Sequence, residues 1–434
     1  MLTSRRTARK IAVVTKRQPI LAIRGVKDLL PGDIGRVRRL EETARRVFER
    51  SGYAEIRIPI FESTELFARG IGTTTDIVEK EMYTFQDRDG GKLTLRPEGT
   101  ASVVRAYIEH QMYLERPVVK LYYLGPMFRH ERPQAGRFRQ FYQIGLEALG
   151  THGALMDVEV LAALHQTLTE AGVVGTQMEI NSLGDSACRP EFRKTLKGYL
   201  KDRLDRLCED CRRRYETNPL RILDCKKEDC RAETADAPSP LDHLCPDCLA
   251  HFRQVKQGLN QLKIPFVINE RLVRGLDYYT RTAFEVTTPK LGAQNAIAAG
   301  GRYDGLVEEL GGPPTPGIGF AMGVERIASL MPEEASPKPD LFFALLGEEA
   351  RTLMLPVILR LRQEGVRSEL DYGGGGLKKQ MGIADKLGAR YTLIIGENEL
   401  KSGKAILRNM ATQEQKELPL SDLASALKPQ FLLP

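Results

Sequence analysis

The chain has 434 residues, enough for two or three domains that each bury their own core. Its formal net charge of +7 favours acidic partners such as RNA and equally fits a soluble enzyme. No apolar run reaches the eighteen or so residues a membrane helix needs, which excludes a helical membrane protein.

The first twenty residues carry Arg5, Arg6, Arg9, Lys10, Lys16 and Arg17 and no acidic residue. They lack the apolar segment and cleavage site of a secretory signal and share the composition of an organellar transit peptide. Residues 1–20 are read as a basic, disordered extension. Asp33 is expected to cap a helix whose apolar positions Val37, Leu40, Ala44, Val47 and Phe48 recur at helical spacing, and Gly52 ends it. A strand over 54–60 is predicted next, with Ile56, Ile58 and Ile60 on one face and Pro59 on the other. Proline cannot donate to a ladder, so this strand belongs at an edge or a bulge, and a subunit interface is one way to cover such an edge.

The segment from Leu124 to Leu149 is the most informative. An arginine-rich loop with Arg129, Glu131, Arg132 and Arg137 runs into a strand with two unlike faces. Tyr142, Ile144, Leu146 and Ala148 form an ordinary core face; Arg139, Phe141, Gln143, Gly145 and Glu147 form the other. An aromatic, an amide, a gap left by glycine and a carboxylate make a poor packing surface and a plausible floor for a polar ligand. Guanidinium groups grip phosphate oxygens in a bidentate fashion, so the pattern points to a nucleotide.

Six of the seven cysteines fall in one region: Cys208 and Cys211, Cys225 and Cys230, Cys245 and Cys248. Two C-x2-C pairs are a zinc pattern, since a tetrahedral site needs four thiolates on two tight knuckles. The 33 residues between the pairs exceed the usual spacing. Structural zinc therefore stays open at the 208–248 cysteines, and no metal ligand is assigned. After the proline-rich stretch 331–340, strands and helices alternate: 341–347, a helix near 348–363, 367–371, a helix near 377–387, and 391–396. That is a small α/β domain. Gly373 to Gly376 lack a following Gly-Lys-Ser/Thr and are read as a turn.

Arg129 followed by Arg137-x-x-x-Phe141 resembles the second signature motif of class II aminoacyl-tRNA synthetases. GIGFAMGVERI (317–327) resembles the third, and residues 33–60 the first, which lies at a dimer interface. RGVKDLLP (24–31), LRPEGT (95–100) and VRGLDYYTRTAFEV (273–286) resemble the histidyl-tRNA synthetase family specifically. The departure from the family's RGTRDLLP removes no expected ligand.

The resemblance implies an α+β fold: an antiparallel-sheet catalytic domain over 21–332 with a helical insertion at about 188–262, a linker over 333–338, and a small α/β anticodon-binding domain over 339–434. It implies ATP and Mg2+, L-histidine and tRNA(His) as ligands, a cytoplasmic homodimer with no membrane association, and transfer of histidine to the 3′ end of tRNA. By resemblance, Arg129 and Arg274 are catalytic. Arg129, Glu131, Arg137, Phe141 and Arg326 bind ATP. Glu98, Gly99, Thr100, Arg129, Gln143, Glu147, Arg274, Tyr278 and Tyr279 bind histidine. Neutral imidazole offers one donor and one acceptor, so a carboxylate and a hydroxyl suit its two nitrogens. Two alternatives stand beside this reading: a regulatory paralogue that binds histidine without charging tRNA, and a synthetase for another amino acid. The intact Arg129, Arg274 and Arg326, together with a C-terminal domain, argue against the first. The RGLDYY loop argues against the second. A salt bridge to Asp277 is the structural alternative for Arg274.

Overall fold

A computed structural model describes residues 19–73, 75–132, 136–292, 295–333 and 338–431. Most of the expected basic extension, and residues 334–337 of the expected linker, lie outside these. The chain forms two compact units, Met1–Glu333 and Glu334–Pro434.

The first unit opens with α1 (Pro31–Arg50), whose buried face is Val37, Leu40, Ala44, Val47 and Phe48. Pro31 occupies the first turn, where its missing N–H has no partner to lose. Asp33 lies inside that turn and pairs with Lys27 at 2.9 Å, while Leu30 takes the cap position. Gly52 follows the helix with φ +79°, as its end signal requires.

The strand expected over 54–60 is only β1 (Ala54–Glu55), lying parallel to β5 (Val119–Phe128) at one edge of the main sheet. The shortening has a visible cause. The largely buried Arg96 guanidinium donates to the carbonyls of Ile58 (2.6 Å), Pro59 (3.1 Å) and Pro126 (2.8 Å), so a side chain replaces the ladder. The expected alternation fails with it: Ile58 is buried and Ile60 is 45% exposed. A small antiparallel sheet follows, made of β2 (Phe61–Ser63), β3 (Tyr83–Gln86) and β4 (Lys92–Leu95) in the order β2-β4-β3, with α2 (Thr64–Ile71) inserted. Next come α3 (Thr100–Glu109), β5 and β6 (Gln140–Leu149), the last two forming a long antiparallel pair.

Beyond them lie α4 (Ala154–Glu170) and β7 (Gln177–Ser182). A helical insertion follows, with α5 (Arg189–Lys201), α6 (Glu209–Thr217), α7 (Glu228–Glu233) and α8 (Pro246–Gln261). The unit closes with β8 (Val267–Ile268), β9 (Thr280–Thr287), β10 (Ala296–Arg302), α9 (Leu306–Glu309), β11 (Gly317–Gly323) and α10 (Val324–Leu330). The eight-stranded sheet runs β1-β5-β6-β11-β10-β9-β7-β8, antiparallel except at its two short edges. Phe48 of α1, Leu161 and Leu164 of α4, Val255 of α8 and Ile327 of α10 pack with Ile144, Leu146 and Phe320 on one face. Tyr142 of the expected core face is only half-buried against that cluster. The other face of the central strands is left open for a cavity.

In the second unit, β12 (Leu341–Leu345), α11 (Glu348–Gln363), β13 (Ser368–Leu370), α12 (Leu377–Leu387) and β14 (Tyr391–Ile395) form where the pattern placed them. They are followed by α13 (Glu397–Ser402), β15 (Lys404–Asn409), β16 (Gln415–Pro419) and α14 (Leu423–Phe431). The sheet order is β13-β12-β14-β15-β16, parallel in its first three strands. Lys379 donates to the Gly374 carbonyl at 3.0 Å and faces Asp371 at 3.5 Å, folding the glycine turn onto the start of α12.

Among the described residues of the first unit, one ion pair has neither side chain exposed. Arg302, ending β10, donates to Asp157 of α4 at 2.6 Å; it also donates to Asp304 and the Thr151 carbonyl. Removing one partner strands a charge in the interior. Asp157→Ala is expected to lower stability by about 3 kcal/mol, read from the urea midpoint; a loss below about 1 kcal/mol contradicts this account of the pair.

Candidate active site

The antiparallel register sets the cavity floor. Gln143 of β6 lies opposite Gly323 of β11, Gly145 opposite Ala321, and Glu147 opposite Gly319. Small residues therefore face each functional one, and a cavity of about 270 Å³ opens above Phe141, Gln143, Ala321, Gly323 and Ala296–Ala299. Its walls are Glu98 and Thr100 at the start of α3, Arg129, Glu131, Arg137 and Phe138 from the loop after β5, the segment with Arg274, Leu276, Tyr278 and Tyr279, and Glu325 and Arg326 at the start of α10. Of the thirteen residues expected at the site, these walls and floor hold all but Gly99 and Glu147.

Those two lie one layer deeper. Tyr123 of β5 pairs in register with Gly145, and a side-chain carbon at either Gly145 or Gly99 would collide with its ring. The gap read from Gly145 is therefore filled by an aromatic ring and is not open to ligand. Glu147 is fully buried; its carboxyl accepts from Thr100 Oγ1 at 2.6 Å and Tyr303 Oη at 2.5 Å. A side chain at Gly319 would occupy the same space. Burial, with the nearby Glu98 carboxylate adding to it, pushes the Glu147 carboxyl up to about 8, against the two hydroxyl donors that favour its ionised form. Glu98 spends both oxygens capping α3, accepting from the amides of Thr100 (2.6 Å) and Ala101 (2.9 Å); burial raises it too, with those amides opposing.

The cations are held in fixed positions. Arg129 donates Nε to the Pro97 carbonyl at 2.8 Å, and its guanidinium lies over the Phe141 ring at 5.5 Å. Arg137 pairs with Glu131 at 2.5 Å. Arg326 is fastened by the carbonyls of Gly136 (3.0 Å) and Ala296 (2.6 Å). Arg274 pairs with Glu285 of β9 at 3.0 Å and lies 5.6 Å from the Tyr279 ring centre. Asp277, the partner considered from sequence, instead accepts from Asn218 Nδ2 at 2.6 Å. Among the described residues, Gln143 Oε1, Tyr123 Oη and Arg274 Nε are buried without a hydrogen-bond partner. Such atoms are costly unless a ligand or water completes them.

Tyr123, Tyr303 and Glu285 were not singled out from the sequence. Each acts through a partner distant along the chain, and only the strand register reveals it. The cysteines also depart from expectation: the two C-x2-C pairs do not share one site. Cys208 and Cys211 group with Cys225 and Cys230, while Cys245 and Cys248 group with Cys188 and Asp185.

Residues 25–327 match the family model described as histidyl-tRNA synthetase, and residues 340–430 match that of an anticodon binding domain. The chain is 55% identical over 408 residues to the histidine–tRNA ligase of Geobacter metallireducens, an alignment spanning 94% of this chain and 99% of that one. It is 54% identical over 410 residues to the same-named protein of Syntrophotalea carbinolica, covering 94% and 98%. The apo histidyl-tRNA synthetase crystal structure from S. aureus superposes with a TM-score of 0.79 at 38% identity, covering 94% of this chain and all of that one.

The raised Glu147 carboxyl carries a stability signature. The folded state keeps its proton up to about pH 8, whereas an unfolded glutamate loses it near pH 4.3. The stabilisation from this group is complete below about pH 4.3 and is lost as pH rises through about 8. Glu147→Gln removes the ionisation, so its unfolding midpoint is expected to fall less between pH 6 and 9 than that of the parent chain. Equal slopes would show that Glu147 does not hold its proton.

Proposed function

Because the chain belongs to the histidyl-tRNA synthetase family, we propose that the cavity on its antiparallel sheet is where histidine and ATP meet. The chain is an aminoacyl-tRNA synthetase: it activates L-histidine with ATP and transfers the histidyl group to the 3′ end of tRNA(His), and the C-terminal unit is its anticodon-binding domain. The site assignment rests above all on the unpartnered Gln143 Oε1 and Arg274 Nε, set among three arginines in a cavity that also presents paired tyrosines.

In activation, the histidine carboxylate attacks the α-phosphorus of ATP in line and pyrophosphate leaves. Two anions must approach, so fixed positive charge is the main requirement. Arg129 bridges the carboxylate and the α-phosphate. Its tie to the Pro97 carbonyl and its seat over Phe141 hold it in place before substrate arrives. Arg274 faces the same phosphate from the other side, its guanidinium steadied by Glu285. Arg326, Arg137 and Glu131 hold the nucleotide, with Phe141 under the adenine. Mg2+ carried in with ATP would supply neutralisation of its phosphates, and Glu131 is the lining carboxylate that would suit such a hard cation.

Glu98 and Gln143, with Thr100, hold the α-ammonium group. The imidazole N–H is donated to Glu147, displacing the Thr100 hydroxyl, and Tyr279 serves the other nitrogen with Tyr278 beside it. Gly99 contributes by admitting Tyr123, which closes the pocket floor. A competitor without the ring nitrogens leaves these buried groups unpaired, so discrimination of ~10⁴ is available from binding alone.

The homodimer reading is supported by the short edge strand β1 and by the exposed Phe61 and Phe85 of the separate three-stranded sheet, whose rings lie 6.4 Å apart. A cytoplasmic setting agrees with seven free cysteines. No helix among the described residues is long and apolar enough to cross a membrane.

The direct test is ATP–pyrophosphate exchange with each amino acid in turn, followed by charging of tRNA(His). Exchange confined to histidine, followed by charging, is expected; exchange with another amino acid overturns the pocket assignment. Arg274→Gln is expected to lower kcat for exchange by ~10²–10³-fold while changing the KM for histidine far less. An unchanged kcat removes Arg274 from the reaction.

A further inference from the structure

We propose that the helical insertion holds two tetrahedral zinc sites, one made by Cys208, Cys211, Cys225 and Cys230 and the other by Asp185, Cys188, Cys245 and Cys248, which together brace the substrate segment 271–281. In each group the four ligand atoms lie within 4.8 Å of one another. A zinc ion with bonds of about 2.3 Å to sulfur requires sulfur–sulfur edges of roughly 3.8 Å. In the second group Cys188 Sγ lies 3.9 Å from Cys248 Sγ, and Asp185 Oδ1 lies 3.5 Å from Cys188 Sγ and 3.9 Å from Cys245 Sγ. The ligand tetrahedron is thus nearly complete before an ion enters.

The local backbone is built for it. Cys208 and Cys245 are the cap residues of α6 and α8, and each C-x2-C pair turns its second cysteine back from the first helical turn. The Cys208 amide donates to Cys230 Sγ at 3.2 Å and the Asp185 amide to Cys188 Sγ at 3.3 Å, which is how peptide groups support thiolate sulfur. All seven cysteines are free. Arg281 donates to the second oxygen of Asp185 at 3.2 Å, giving the anionic second group a fixed countercharge.

Both groups hold the segment that carries Arg274, Tyr278 and Tyr279. On the second side, Arg281 donates its amide to the Gly184 carbonyl (2.8 Å) and accepts from Leu183 (2.7 Å), and Arg189 donates to the Tyr279 carbonyl at 2.6 Å. Arg281 has φ +45°, a strained conformation for arginine that persists only where its surroundings enforce it. On the first side, Asn218 holds Asp277, and Arg271 donates to carbonyls of Thr234 (2.5 Å) and Leu223 (3.4 Å), on either side of Cys225 and Cys230. Closing both tetrahedra therefore fixes the two ends of the histidine-facing wall.

The bracing role rests on the proposed histidine site, whereas the metal count does not. The test is elemental analysis of the full chain purified from zinc-supplemented medium and dialysed against a weak chelator. About two zinc ions per chain are expected, falling to one in Cys208→Ser/Cys211→Ser and to one in Cys245→Ser/Cys248→Ser. Zero or one in the parent chain, or a variant that keeps both, overturns the proposal. Should either variant fail to fold, cobalt titration of the metal-free parent chain decides it: thiolate-to-cobalt absorption saturating at two equivalents supports two sites, and saturation at one or none refutes them. In Cys245→Ser/Cys248→Ser the KM for histidine is expected to rise at least tenfold with the KM for ATP within threefold. Equal rises would remove the bracing role and leave the metal count standing.

Discussion

The buried carboxyl of Glu147 is the constraint around which the active region is arranged. It lies on a central strand with no exposure, and its two oxygens are satisfied by hydroxyls from α3 and from the end of β10. Accommodating it requires glycine at 319 on the neighbouring strand, and the adjoining floor requires glycine at 145 so that the Tyr123 ring can close it. Because the side-chain period along a strand is two, the register that aligns these glycines also places Gln143 and Phe141 on the cavity face. A slip of one residue would bury the ligand face in the helical core and expose Ile144 and Leu146. Polar recognition and apolar packing are therefore fixed by the same hydrogen-bond ladder.

The arginines extend this logic from floor to walls. None depends on substrate for its placement: backbone carbonyls hold Arg129 and Arg326, and carboxylates hold Arg137 and Arg274. Preorganised charge of this kind stabilises a developing phosphoryl anion without paying reorganisation during the reaction. The cost appears as buried, incompletely paired polar atoms in the empty cavity, which substrate binding is positioned to relieve. The insertion contributes from behind, where its anchors reach the 271–281 segment and not the reacting atoms.

Much of this was legible in the chain. The two faces of β6, the apolar stripe of α1 and the first five elements of the C-terminal unit follow from periodicity and punctuation, and eleven of the thirteen expected site residues line one cavity. What escaped has a common cause in long-range pairing. Arg96 replaces a ladder around Pro59, so the stretch after β1 lost its strand to a side chain 37 and 38 residues away. The gap at Gly145 reads as open space until β5 is placed beside it and Tyr123 fills it. Cysteine spacing suggested pairing the two C-x2-C knuckles with each other, whereas the fold groups each with other residues, because the other two members of the second group, Asp185 and Cys188, sit before the insertion's first helix. In the second unit β15 and β16 are short and largely polar, with only Ala405, Leu407 and Leu418 buried, too little to stand out from loop.

A crystal structure with a non-hydrolysable analogue of histidyl-adenylate tests the central claim most directly. The account predicts the imidazole within hydrogen-bond distance of Glu147 and Tyr279, the Thr100 hydroxyl released from Glu147, and the phosphate mimic between Arg129 and Arg274. An analogue bound elsewhere, or bound here with the Thr100–Glu147 hydrogen bond intact and the imidazole away from both partners, would contradict it.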